Sequence, residues 1–113
     1  MAQVTFTPTD GCYIAPFSTT AANLVMQNQA VDLGTLFKID NQSGNLAFVA
    51  FSTTANAVAN IQHPTAGTPT NVIAVRTGET LLVNPAIGIH TGNVYVGTVS
   101  ISGTGNIFIQ SGV

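Results

Sequence analysis

The sequence predicts an all-β fold, a two-sheet antiparallel β-sandwich of about eight or nine short strands. Three observations lead there. The apolar runs are filled with β-branched and aromatic residues, which suit a pleated, half-buried surface. Gly, Asn, Ser or Pro interrupts those runs roughly every eight to twelve residues. The helix signal is nearly missing: only Ala21–Asn28 competes, and its apolar positions do not continue at helical spacing, so it reads as loop and strand. At 113 residues the chain is expected to form one domain over 1–113, long enough for a real core but not for two.

The elements follow in order. Gln3–Thr7 and Cys12–Phe17 read as short strands interrupted by Pro8, Gly11 and Pro16. Residues 1–16 are therefore read either as an arm reaching a neighbour or as an edge strand of the same sandwich. In Thr35–Asp40, Phe37 and Ile39 face one way and Lys38 and Asp40 the other, the period of a half-buried strand. Asn41-Gln42-Ser43-Gly44 supplies turn chemistry and Asn45–Phe51 returns, so the two strands are expected to form a hairpin. The returning strand is apolar on both faces, which suggests a central strand or one covered by a partner. Next come Asn71–Arg76, a tight Thr77-Gly78 turn and Glu79–Val83. A second hairpin is expected from Asn93–Ile101 through Ser102–Gly105 into Asn106–Gln110. The predicted core is Phe6, Phe37, Ile39, Phe48, Ala50, Val75, Leu81, Val83, Tyr95, Val99, Ile107 and Ile109. One pentamer occurs twice, as Phe17-Ser18-Thr19-Thr20-Ala21 and Phe51-Ser52-Thr53-Thr54-Ala55. Two strand exits sharing local chemistry explain it as well as duplication does.

Charge is the unusual quantity. Charged residues make up 5% of the chain, against about 25% in an ordinary soluble domain. Asp10, Asp32, Lys38, Asp40, Arg76 and Glu79 are the whole set. A folded monomer of this mass exposes roughly 5,800 Å², about one charge per thousand Å². Domains that stay apart in solution carry many more charges, so part of this surface is expected to be covered by neighbours. A net charge of -2 offers no counterion release, and nucleic acid is not an expected partner. Polybasic and amphipathic segments are missing too, and every apolar run is soon interrupted, so no membrane partner is expected. The start, Met1-Ala2-Gln3-Val4-Thr5-Phe6, alternates and lacks the basic and hydrophobic regions of a leader, so the mature chain is expected to begin at or next to Met1. The single Cys12 makes no intrachain disulfide, which fits assembly in a reducing cytoplasm.

Residues able to do chemistry are few. His63 precedes Pro64 in a Thr/Gly/Pro-rich loop and His90 lies in the Ile89–Gly92 turn, neither with a partner at metal-ligand spacing. Both read as exposed loop histidines. Cys12 has no local signature of a nucleophile and reads as a small apolar-like residue at a strand start. Asp40 and Glu79 sit at strand ends near Lys38 and Arg76, so surface charge pairing accounts for all four. Gly103-Thr104-Gly105 lacks the helix and lysine of a phosphate loop. No catalytic residue, cofactor or metal is expected, and the chain is read as not an enzyme.

Apolar residues on both faces of a strand point to another class of function. Phe48 and Ala50 cannot share one core with Ala47, Val49 and Phe51, nor Leu81 with Leu82, nor Ile107 and Ile109 with Phe108. One set is expected to fill the sandwich. The other, read as Phe17, Ala47, Val49, Phe51, Leu82 and Phe108, is expected to meet identical subunits, as a dimer or trimer, or a protein shell beneath. With so few ion pairs available, such contacts would be nearly salt-independent.

The series Leu36-Phe37-Lys38-Ile39-Asp40-Asn41, followed by a Gly44-Asn45 turn into Leu46-Ala47-Phe48-Val49-Ala50-Phe51, resembles small virion proteins of tailed bacteriophages. The later turn Thr77-Gly78-Glu79-Thr80-Leu81 and the closing Gly103–Gly112 are similar to theirs as well. This resemblance implies a jelly-roll sandwich that decorates or cements a phage head. It also implies a place on the outer capsid surface of the virion and the major capsid protein as partner. The alternatives are a tail, baseplate or fibre component of the virion, or a small carbohydrate-binding module. The last would have only Tyr13 and Tyr95, and no Trp, to offer as platforms.

Overall fold

Alternating residues become eight strands: β1 (Tyr13–Phe17), β2 (Ala22–Val31), β3 (Leu36–Asn41), β4 (Ala47–Ser52), β5 (Ile73–Val75), β6 (Glu79–Val83), β7 (His90–Val99) and β8 (Gly105–Gly112). These come from a computed structural model, which describes residues 6–9, 11–31, 35–85, 87 and 90–113. Among the described residues the helical content is one short 3-10 turn, Ala55–Ala57. Ala21–Asn28 is indeed loop and strand: it enters β2, a ten-residue strand with a bulge between Met26 and Gln29.

Two antiparallel sheets result, ordered β1-β8-β3-β6 (the first sheet) and β2-β7-β4-β5 (the second). Strand β1 pairs with β8, β2 with β7, β3 with β6 and β4 with β5. This nesting of first with last, second with second-last, is an antiparallel ribbon rolled across two layers. It is the jelly-roll arrangement of a β-sandwich.

The nesting corrects both expected hairpins. β3 and β4 lie in opposite sheets, as do β7 and β8, and also β5 and β6. Strands paired in one sheet are about 4.8 Å apart, whereas stacked sheets are about 10 Å apart. Segments 42–46, 76–78 and 100–104 are therefore arches over the edge of the core. Gly, Asn and Ser satisfy an arch and a hairpin alike, which is why local sequence did not separate them.

Asn41 shows how one arch is held. Its buried side chain donates from Nδ2 to the carbonyls of Asn45 and Val75, both at 2.9 Å. Its Oδ1 accepts from the Ser43 N–H at 3.0 Å and the Ser43 hydroxyl at 2.6 Å. The Asn41 carbonyl accepts from the Gly78 N–H at 2.7 Å. Through its side-chain amide Asn41 thus ties β3 to the arch into β4 and to the end of β5, and through its backbone carbonyl to the arch after β5. Ser100 does similar work nearby, donating its hydroxyl to Leu46 O at 2.7 Å, while its N–H reaches Ser18 O at 2.8 Å.

The core between the sheets contains Ala15, Phe17, Met26, Phe37, Ile39, Ala47, Val49, Val75, Val94, Val96, Ile107 and Ile109, with Leu81, Val83 and Phe51 packed against it. For β3, β5, β6 and β8 this is the predicted set. For β4 and β7 the inward parity is the reverse of the expectation. Ala47, Val49, Val94 and Val96 point inward, while Phe48, Ala50, Tyr95 and Val99 take the opposite face. There Phe48 and Val99 are still buried, because segment 53–72 of the same chain lies over them. Val58 is 1% exposed in that cover. The close approach needs Gly97: a Cβ there would stand 2.7 Å from Val58 O and 2.9 Å from Val58 Cβ. Along β4 and β7 both faces of the second sheet are thus buried or half-buried, although Asn23 of β2 and Ala74 of β5 stay exposed, and hydrophobicity alone could not tell inside from outside on those two strands.

At the N-terminal end, residues 1–5 lie outside the described residues, and with them most of the strand expected over 3–7. Thr7 exchanges backbone hydrogen bonds with Val113 at 2.7 and 3.0 Å, and the Thr9 N–H reaches Ser111 O at 3.1 Å. Gly112 lets this stretch lie close, since a Cβ there would run into the Thr7 carbonyl and the Phe6 ring. Phe6 itself is half-buried against this join rather than in the core.

Candidate interaction surface

The two sheets present very different outer faces. Segment 53–72 covers the second sheet over Phe48, Gly97 and Val99. His63 belongs to this cover: it is half-buried, not exposed, with its ring 6.2 Å from that of Phe48. Beside the cover lie two open hollows of about 500 and 360 Å³, the first walled largely by neutral residues such as Ser52, Asn60, Gln62 and Asn71.

The outer face of the first sheet carries no comparable segment over Ile14 and Phe108 among the described residues, although Phe6 reaches onto it at Gly112 and Lys38. Strand alternation decides what it shows, since inward Phe37, Ile39, Ile107 and Ile109 leave their neighbours pointing out. Ile14 on β1 lies opposite Phe108 on β8, Phe108 opposite Asp40 on β3, and Asp40 opposite Thr80 on β6. In the adjacent row Gln110 lies opposite Lys38, and Lys38 opposite Leu82. Ile14 is 55% exposed and Phe108 38%, so two large apolar side chains adjoin in open water. Half-buried Leu36 and Leu82 and exposed Pro16 extend the patch.

Two charges sit within it. Asp40 Oδ1 accepts from the Gln42 side-chain amide at 2.6 Å and from the Thr80 hydroxyl at 3.0 Å. The Lys38 ammonium lies 6.0 Å from the centre of the Phe6 ring, the range of a weak cation–π contact. Cys12, exposed and free, borders a small hollow of about 170 Å³ with Lys38, Asp40, Phe108 and Gln110.

Of the six residues expected at a partner interface, the structure brings two to this face, Phe108 and Leu82. Phe17, Ala47 and Val49 are 0–3% exposed within the sandwich and are not available to a partner. Phe51 also points inward, its ring 5.0 Å from that of Phe37. They were misplaced through the inverted parity of β4 and, for Phe17, because the alternation of β1 puts Ala15 and Phe17 inside and Ile14 and Pro16 outside. Ile14 was missed, although its place between Tyr13 and Ala15 gave the right parity. At the far end, the arch after β7 also exposes Ile101, at 53%.

Among the described residues no three of His, Cys, Asp and Glu come together as a metal-binding group. Glu79, expected to pair with charge, accepts from the Arg76 backbone N–H at 3.0 Å and so closes the turn before β6. His90 opens β7 opposite Val31 rather than lying in a turn, and its side chain is outside the described residues. No helix of the described residues is long and apolar enough to cross a membrane. No protein-family model, curated protein or solved structure matches the chain.

Proposed function

We propose that this chain is a non-enzymatic structural protein of a virion, a decoration or cement protein on the outer surface of a tailed-phage head. In that role it bridges major capsid subunits and resists opening of the joints between them. One observation carries the reading: a jelly roll whose second sheet is covered over Phe48 and Val99 by its own chain, while the first sheet presents an uncovered face where Ile14 and Phe108 adjoin beside only two charges, Lys38 and Asp40. A free domain would be expected to break up such a face with charge. The jelly roll is itself a frequent architecture of capsid and lectin domains, so the fold adds fold-level analogy and no more.

The mechanism needs no chemistry. A protein that binds the assembled shell and not its dispersed subunits stabilises the shell by mass action. Many equivalent copies let a modest contact at each site add up around the lattice. The test is the copy number of this chain in purified virions, by quantitative mass spectrometry against the major shell protein. A simple lattice fraction is expected. A few copies per particle would move the protein to tail, baseplate or fibre, and absence would overturn the virion reading altogether.

A further inference from the structure

We infer that the outer face of the first sheet is a two-fold self-interface, with a second copy of this chain as its occupant. The inference rests on the proposed assembly role only in taking this face to be covered; the partner is argued from the face itself.

The argument is charge complementarity. Among the described residues the outward row of β3 carries one lysine, Lys38, and one aspartate, Asp40, two positions apart on the same side of the strand. Around them the face is apolar or neutral: Ile14, Phe108, Leu82, Gln110 and Thr80. A partner of either single sign, or a purely apolar one, would leave one of these charges covered and unpaired, which is strongly unfavourable. A second copy avoids this by symmetry. Consider a two-fold axis lying between two facing sheets, perpendicular to the strands and level with Ile39. It sets β3 antiparallel to the β3 of the second copy. Each Lys38 then stands over the Asp40 of the other copy, and the same operator makes the reciprocal pair. The contact is isologous, closed and limited to two chains.

The same operator fixes the surrounding contacts. The axis exchanges the row Ile14, Phe108, Asp40, Thr80 with the row containing Gln110, Lys38 and Leu82. Phe108 is thereby set over Gln110, and Thr80 over Leu82, of the second copy. Asp40 already accepts two neutral hydrogen bonds, from Gln42 and Thr80, which fix its carboxylate for an incoming ammonium. The sheet-on-sheet contact is the one the protein already uses inside its own sandwich.

A charge-swap series tests this with the full chain in sedimentation equilibrium at concentrations up to about 1 mM, a range that reaches weak associations. The wild type is expected to approach twice its 11.6 kDa mass. Lys38→Asp gives the face two negative charges and Asp40→Lys two positive ones. Each variant alone is expected to associate about 100-fold more weakly, since like charges then meet across the axis. An equimolar mixture of the two single variants is expected to form a heterodimer. The double variant Lys38→Asp/Asp40→Lys is expected to dimerise again as the wild type does. Thermal unfolding of each variant confirms that it is folded. A monomeric wild type overturns the inference, as do single variants that dimerise undiminished or a folded double variant that stays monomeric. None of these outcomes depends on copy number in virions, so failure here is separable from failure of the structural role.

Discussion

Replacing Asn41 by Asp should cost the protein much of its stability, with a cost that depends on pH in a direction fixed by the geometry. Asn41 is 0% exposed. Aspartate keeps an oxygen for Ser43 but places the other against the carbonyls of Asn45 and Val75, where the amide donated at 2.9 Å. Two hydrogen bonds are lost, at about 1 kcal/mol each, and the stranded acceptors add about 1–3 kcal/mol. The total of roughly 3–5 kcal/mol compares with an overall stability of about 5–15 kcal/mol for a domain. At about 2.1 cal/mol/K per residue, the unfolding entropy of a 113-residue chain is about 0.24 kcal/mol/K. Each kcal/mol then lowers Tm by about 4 °C, and the variant should melt about 12–20 °C below the wild type at neutral pH.

Burial and two facing carbonyls both favour the neutral acid, so the introduced carboxyl has a raised folded-state pKa. The folded state then holds more protons than the unfolded one. The deficit is least below the unfolded value of about 3.9, where a protonated carboxyl can still donate to one carbonyl. It grows as pH rises through the raised folded value. Circular dichroism melts of variant and wild type at matched pH, taken as a difference, isolate this effect. A deficit under about 4 °C at neutral pH, or one that does not change with pH, would refute the role assigned to Asn41.

The other predictions are simpler. Gly97→Ala forces the Val58 backbone outward and should cost about 1–3 kcal/mol, with faster proteolytic nicking inside 53–72; unchanged nicking would mean that this segment does not lie on Gly97. Ser111→Ala removes the 2.6 Å hydroxyl contact with Gln29 Oε1, leaving a buried acceptor unmatched, and should cost about 1–3 kcal/mol in denaturant titration. Ile14→Ser with Phe108→Ser should leave Tm within about 4 °C, each surface change being worth at most about 0.5 kcal/mol. The same pair should abolish the concentration-dependent mass of the wild type; a mass unaffected by losing both side chains would place the contact elsewhere.

The sequence made some levels of this structure readable and hid others for identifiable reasons. β3 announced itself because its outward face is wet: Lys38 and Asp40 alternate with Phe37 and Ile39, and parity follows at once. β4 and β7 hid theirs because segment 53–72 buries the second face. With water on neither side, Phe48 and Val49 are equally apolar and nothing local ranks them. The repeated pentamers were legible as local chemistry. Ser18 Oγ accepts from the Thr20 N–H at 3.2 Å, and Ser52 Oγ from the Thr54 N–H at 3.1 Å, the same turn at the ends of β1 and β4. Pairing was not legible. A jelly roll joins β1 to β8 across the length of the chain, and turn residues at 42–46 or 100–104 cannot specify a partner that distant.

The same asymmetry that confused β4 and β7 is what sets the first sheet apart. This chain has the means to close a sheet face, since it spends segment 53–72 on the second one and gives up a side chain at Gly97 to bring the cover close. No equivalent cover lies over Ile14 and Phe108 among the described residues, and the two charges beside them are of opposite sign. A face meant for water gains from many charges, and one lysine beside one aspartate on a two-residue step does not supply them. It does serve a partner that carries the same pair in reverse order, and an antiparallel copy of the same strand is the simplest surface that does.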